Sequence, residues 1–211
     1  MMQKGGMEQI QAASDQAYPG LTALLLLRIK GNRDAYETER AKYLLQSLSK
    51  HAAEGTFDSL VIAMPPGDMD AGHTAFANWP GLNVRIVDET ELVPEVAGQD
   101  KISGWTKQQI IKLAGSARLD TDFVLTLDAD VLCLKPISRE ILLPSGKALI
   151  DPDSGHKSWW WSASARMLGV KKPYGEPTIG VTPVIMSSEI CRRIFQRLSK
   201  RAPNGDWFEY L

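Results

Sequence analysis

Asp128-Ala129-Asp130 closes a run of mostly apolar residues, Phe123-Val-Leu-Thr-Leu127. Such a run, apolar without alternation, reads as a strand buried on both faces. Two carboxylates at its end serve no packing need, because buried Asp is rare unless paired or bound to a metal. In a parallel α/β sheet, ligands collect beyond the C-terminal ends of the strands. Asp128 and Asp130 are therefore the first candidate site. Together they can hold one Mn2+ or Mg2+, directly or through water. Such an ion would neutralise a diphosphate and stabilise the charge that builds on it as it departs.

Two other uses of the pair stay open. One is phosphoryl transfer in the manner of haloacid dehalogenases, with Asp128 as nucleophile and Asp130 as general acid and base. The local pattern Asp128-Ala-Asp130-Val131 fits, but the position does not. Those enzymes carry the motif near the start of their core fold, and here strands and helices precede it. No Gly-Asp-x-x-x-Asp follows it either, since Gly205-Asp206 stands too near the end of the chain. The other use is none at all, a pair of solvated acids at a strand exit. Beyond the pair, His156 is a possible third metal ligand, and its bland reading is a hydrogen-bonded structural His. No phosphate loop, Gly-x-Ser-x-Gly, His-Glu-x-x-His or Cys-x-x-Cys occurs.

The elements that must position these residues follow in chain order. Residues 1–20 form a polar tail ending in Pro19-Gly20. Leu21 to Ile29 is a buried strand, with Arg28 and Lys30 at its exit. They are either solvated or in contact with a nucleotide at the strand mouth. A helix from Asp34 to about Ala53 carries Tyr36, Tyr43, Leu44 and Leu48 on its apolar face. Strands follow over Ser59 to Met64 and Val84 to Val87, separated by a loop from Asp68 to Gly81. The helix from about Gly104 to Ala117 has a core face of Ile110, Leu113, Ala114 and Ala117. Trp105, Gln108 and Lys112 form another face, at offsets of three and four, that looks like a recognition surface. Lys147 to Ile150 reads as a further strand, and Ser158 to Leu168 as a helix opened by three Trp. Gly180 to Met186 reads as a strand entered through Thr182-Pro183, where Pro suggests an edge or a strand start. A helix over Ser188 to about Leu198 follows, with the stripe Ile190, Ile194 and Leu198. Alternation of strands and helices argues for a doubly wound, mainly parallel sheet.

Length and composition agree with one α/β domain over residues 21–211 of the 211-residue chain. Hydrophobic residues are 44% and charged residues 23%, as in an ordinary globular protein. A net charge of −1 gives no bulk electrostatic reason to bind nucleic acid or an anionic membrane. Ala23-Leu-Leu-Leu-Leu27 is the longest apolar run, far short of the ~20 residues of a membrane span. No apolar segment of a secretory signal precedes Tyr18. Cys133 and Cys191 lack metal-ligand spacing and fit a reducing, cytoplasmic setting. The aromatic terminus Trp207-Phe-Glu-Tyr-Leu211 has no closing element and reads as a chain cut short.

One resemblance joins these segments. Gly104-Trp105-x-x-Gln108-Gln109-x-x-Lys112-Leu113, followed by a turn and Phe123 to Pro136, resembles the GT-A glycosyltransferases. It is closest to a bacterial, poorly characterised family of GT-A-like proteins with an Asp-x-Asp motif and a domain of unknown function. Gly180-Val-Thr182-Pro183-Val-Ile-Met-Ser187 and Trp207-x-Glu209-Tyr210 are similar to that family's later motifs. The resemblance implies a Rossmann-like α/β sheet that binds a UDP- or GDP-linked sugar, and a metal held by Asp128 and Asp130. It implies donor contacts from Arg28, Lys30, Trp105, Gln108, Gln109, Lys112 and Asp128. It places a glycan or other acceptor near Trp160, Thr182, Pro183 and Trp207. Glu209 is then the nearest thing to a catalytic base, beside Asp130. A catalytically silent nucleotide-sugar-binding fragment is the alternative, because many GT-A enzymes supply a further metal ligand, often His, near their C-terminus.

Overall fold

The computed structural model describes residues 18–30, 34–153, 158–171, 178–179 and 182–210. Its main sheet has the order β3-β2-β1-β4-β7. The strands are β1 (Leu21–Leu26), β2 (Ser59–Met64), β3 (Val84–Asp88), β4 (Phe123–Leu127) and β7 (Val184–Ser187). The first four run parallel, and Leu24 of β1 lies between Val61 of β2 and Thr126 of β4. β7 runs antiparallel along β4, pairing Phe123 with Ser187. Of the two positions Pro183 suggests, an edge or a strand start, both hold: β7 begins at Val184 and lies at the edge of the sheet. A separate two-stranded ribbon pairs β5 (Pro152–Asp153) with β6 (Thr178–Ile179).

Alternation along each strand feeds two cores, one on each face of the sheet. Leu21, Ala23 and Leu25 of β1 pack on one face with Leu60, Ile62 and Met64 of β2. That face is covered by α1 (Asp34–His51), through Ala41, Leu44, Leu45 and Leu48, and by Phe76 of α2 (Met69–Phe76). Leu24 and Leu26 point the other way, with Val61, Ala63 and Val124. There they meet Val93 and Val96, which follow the short α3 (Glu89–Leu92), and Ile110, Ile111 and Ala114 of α4 (Gly104–Arg118). With apolar partners on both sides, β1 and β2 are buried at every position, so their sequences show no polar alternation. α5 (Arg139–Leu142), α6 (Ser158–Leu168), α7 (Ser188–Arg201) and α8 (Trp207–Tyr210) complete the helices among the described residues.

Several expectations are corrected. β1 ends at Leu26 rather than Ile29, because a side chain replaces the ladder there. The buried Asp68 carboxylate accepts from the backbone N–H of Ile29 at 2.7 Å and of Lys30 at 3.4 Å. The loop expected over residues 68–81 holds α2 instead, whose Gly72 packs on β2. A Cβ at Gly72 would stand 2.2 Å from the Met64 sulfur, so the residue that weakens the helical pattern is the one that lets the helix dock. Tyr36 and Tyr43 are exposed, and the buried stripe of α1 is aliphatic. Lys147 to Ile150 forms no strand, and Leu149 donates its N–H to the Leu142 carbonyl instead. Ile190 is exposed on α7, where Cys191 and Leu198 carry the burial.

Candidate functional site

β4 delivers Asp128 to the C-terminal edge of the sheet, one residue past its last strand position. α4 is set beside it by Ser103, whose hydroxyl accepts from the Thr106 N–H at 3.1 Å and caps the helix. Its core stripe of Ile110, Ile111 and Ala114 fixes the rotation of the helix about its axis. That rotation sends Gln108 and Lys112 towards β4. Gln108 Nε2 donates to Asp128 Oδ1 at 3.4 Å, and Lys112 Nζ donates to the same oxygen at 2.6 Å. Lys112 also donates to the Thr182 hydroxyl at 2.9 Å, just before β7. One buried ammonium thus ties α4, the end of β4 and the approach to β7 together.

Over this knot lies a cleft of about 790 Å3. Trp105, Gln108, Gln109, Asp128, Asp130, Trp160 and Thr182 all line it. Residues of α4 and α6, the segment after β4 and the approach to β7 are therefore gathered in one place. The Trp105 and Trp160 rings lie 6.2 Å apart, tilted by 38°. Asp130 is exposed and makes no hydrogen bond to a described residue. An adjoining cavity of about 480 Å3 shares Leu26, Glu37, Trp105 and Gln108 with the first. Arg28, Pro65, Glu89 and Lys107 also line it. The combined cleft crosses the strand ends from β4 towards β3.

Other predicted site residues lie elsewhere. Lys30 is at the exit of β1, but its ammonium is taken by the Gly67 carbonyl. Lys112 is only 4% exposed and lies beneath Asp128 rather than in the open cleft. Pro183 is exposed and does not line the cleft. Trp207 packs edge-on against Phe195, with ring centroids 4.4 Å apart. It borders a groove at the far end of α4 with Ala117, Arg118 and Arg192. Glu209 is exposed and accepts from Asn204 Nδ2 at 2.5 Å, and it does not line the cleft either. His156 lies outside the described residues.

Four lining residues escaped the sequence reading. Glu89 follows β3 directly, and an acid at a third strand exit was the available signal. It is 6% exposed, with Lys107 Nζ 2.6 Å from its Oε1. Lys107 precedes Gln108 in the recognised motif. Glu37 and Arg40 come from the first turns of α1 and form an ion pair at 3.1 Å. Nothing in their sequence marks that pair as part of a cleft, since packing of α1 on the sheet puts it there. Among the described residues no three His, Cys, Asp or Glu side chains gather into a metal cluster, so Asp128 and Asp130 remain the pair that could hold an ion.

The model of one protein family matches residues 19–211, that of DUF6492, a family of unknown function. No curated protein matches the chain. Among solved structures, mouse xyloside xylosyltransferase 1 in its apo form is 16% identical at a TM-score of 0.47, over 82% of this chain and 69% of its own. The galactosyltransferase LgtC, with donor and acceptor sugar analogues, is 18% identical at 0.49, over 89% and 64%. An active-site mutant of LgtC is 18% identical at 0.50, over 89% and 63%. At such identities the likeness is one of fold, and the fold is that of the GT-A glycosyltransferases. This chain spans less than two thirds of the LgtC chains.

Proposed function

The chain belongs to the DUF6492 family, and with a GT-A sheet beneath its cleft we propose that it is a glycosyltransferase moving a sugar from a nucleoside-diphosphate sugar to a glycan or other acceptor. The observation that carries this reading is the meeting of Asp128 and Asp130 with Trp105, Gln108 and Trp160 in one cleft at the strand mouths. The donor set suits Mn2+ or Mg2+, since carboxylates are hard oxygen ligands and, among the described residues, no thiolate or imidazole lines the cleft. An ion held by Asp128 and Asp130 would neutralise the diphosphate and stabilise it as a leaving group.

The chain's own residues have the following parts in this reading. Gln108 and Lys112 hold Asp128 in one orientation. Arg28 and Arg40 bring positive charge to the cleft wall, where a diphosphate would lie. Trp105 and Trp160 offer apolar faces for a sugar ring and exclude water from it. Thr182 stands on the acceptor side. Asp130, with neither oxygen bonded to a described residue, is the carboxylate free to meet an incoming ligand. Glu209 is not given the part of base, because it stands outside the cleft. The free thiols Cys133 and Cys191 support a reducing, cytoplasmic location.

Calorimetric titration of UDP and GDP, with and without Mn2+, tests the reading in the wild type and in Asp130→Ala. Binding that requires Mn2+ and weakens about 100-fold in the variant is expected. Absence of metal-dependent binding overturns the reading. Hydrolysis of a phosphomonoester that Asp128→Asn abolishes would instead make the protein a phosphatase. Metal-dependent binding without donor hydrolysis or transfer would make it a silent nucleotide-sugar binder.

A further inference from the structure

α6 stands apart from the two cores that hold the sheet and its other long helices. None of its described side chains enters either core. It packs instead on α7, and the contact at its C-terminal end is polar. Gly169, at φ +61°, turns the chain there. The Val170 N–H donates to the Ala165 carbonyl at 2.9 Å, and the Gly169 N–H donates to the Arg166 carbonyl at 3.2 Å. This is the Schellman ending, and it leaves the Met167 and Leu168 carbonyls with no described backbone N–H. Two arginines of α7 take them. Arg201 Nε donates to the Met167 carbonyl at 2.8 Å, and Arg197 Nε donates to that of Leu168. Their Nη2 atoms reach the carbonyls of Arg166 at 3.4 Å and Gly169 at 3.1 Å. Arg197 and Arg201 are four residues apart and share one face of α7. Arg192 and Arg193 pair with Glu189, whereas Arg197 and Arg201 have no carboxylate partner among the described residues. Their charge lies at the negative end of the α6 dipole.

The opposite end of α6 carries Trp160 into the cleft, with its ring 6.2 Å from that of Trp105. From Trp160 to Leu168 the helix is about 12 Å long, so the docked end and the aromatic end move as one rod. A tilt at the arginines displaces Trp160 across the cleft. We infer that Arg197 and Arg201 are positioning residues of the cleft: by docking the C-terminus of α6 they hold Trp160 against Trp105 and so build the aromatic wall that faces the transferred sugar. That the wall faces a sugar rests on the transferase reading above, whereas the docking does not. A plain helix cap would stabilise α6 and leave the place of Trp160 to other contacts.

Circular dichroism tests the docking without measuring activity. Two indoles this close couple their ultraviolet transitions, and the couplet depends steeply on their separation and angle. The part of the signal that Trp105→Phe and Trp160→Phe both remove belongs to the pair. The double variant Arg197→Gln/Arg201→Gln should lose most of that part. Its urea midpoint should stay close to that of the wild type, because α6 loosens locally while both buried cores are untouched. Three results overturn the inference: a wild type in which the two Phe variants remove no common signal, a couplet that the double Gln variant leaves unchanged, or a couplet lost only in step with the urea midpoint. The last would make the arginines supports of the whole fold rather than of Trp160. Should the double variant not fold, Arg197→Gln and Arg201→Gln are read singly by the same criteria. Calorimetry of UDP and GDP with Mn2+ separates the two readings. No binding by the wild type, with the couplet lost in the Gln variant, removes the transferase reading and leaves the docking. Binding by the wild type, with the couplet intact in the Gln variant, removes the docking and leaves the transferase reading.

Discussion

Replacing Lys107 by Met will strip the counter-charge from Glu89 at the cleft wall. Glu89 is 6% exposed, and Lys107 Nζ lies 2.6 Å from its Oε1. That oxygen is fully enclosed and has no aligned hydrogen bond, so the ammonium is its main compensation. Breaking a buried ion pair by removing one partner costs about 3–5 kcal/mol, because the remaining charge is left desolvated. The Lys107 side chain is 17% exposed and borders the cleft, so water recovers part of that loss. A destabilisation of about 2–3 kcal/mol follows. With a urea dependence of about 2 kcal/mol per molar, the unfolding midpoint should fall by about 1–1.5 M. Tryptophan fluorescence in urea at pH 7 measures it. The double variant Lys107→Met/Glu89→Leu removes both charges and should return to within about 1 kcal/mol of the wild type. A single variant within about 0.5 kcal/mol of the wild type, or a double variant as unstable as the single, would refute the reasoning.

Asp68→Ala removes the carboxylate that caps the exit of β1 and leaves the Ile29 N–H without its 2.7 Å partner. It should cost about 2–3 kcal/mol in urea unfolding, with Asp68→Asn recovering part. Burial raises the Glu95 carboxyl, but hydrogen bonds from Arg118 and Trp207 and the Arg118 charge outweigh it, leaving it below the ordinary 4.5. A depressed carboxyl stabilises the fold above its unfolded value and loses that contribution as the pH falls through its folded value. Arg118→Ala should therefore cost less than about 1 kcal/mol at pH 7, and the gap to wild type should close under acid, as unfolding curves from pH 7 to pH 3 would show. Burial pushes the Cys191 thiol up to about 11, so iodoacetamide at pH 8 should label it only after unfolding. Labelling of Cys191 in the folded protein, read by mass spectrometry, would contradict that.

Local chemistry that repeats at short range was legible along the chain. The buried strands β1 and β2 announced themselves through apolar runs, and the last strand through Pro183 at its start, whereas its antiparallel direction came only from the structure. The spacing of Trp105, Gln108 and Lys112 brought one helix face to the end of β4. Errors arose where a distant partner decides. Gly72 reads as a loop residue until Met64 is placed beneath it. Lys147 to Ile150 reads as a strand, but no neighbouring strand pairs with it. Tyr36 and Tyr43 match a helical stripe, but the buried angle of α1 is set by Ala41, Leu44, Leu45 and Leu48.

The same division runs through the site. Sequence alone determined that two carboxylates end a buried strand, because an apolar run followed by Asp-x-Asp is a local pattern with few packing explanations. It also determined that the sheet is covered on both faces, because the strands are apolar runs with no polar alternation. Tertiary structure decided which charges face the cleft and which lie under it. Lys112 went beneath Asp128 because the core stripe of α4 fixes that helix's rotation, and Glu89, Lys107, Glu37 and Arg40 entered because three strand exits and α1 converge there. Trp207 and Glu209 were left out of the cleft for the same reason: α8 packs on Phe195 of α7, and that long-range contact is written in no single stretch of the chain.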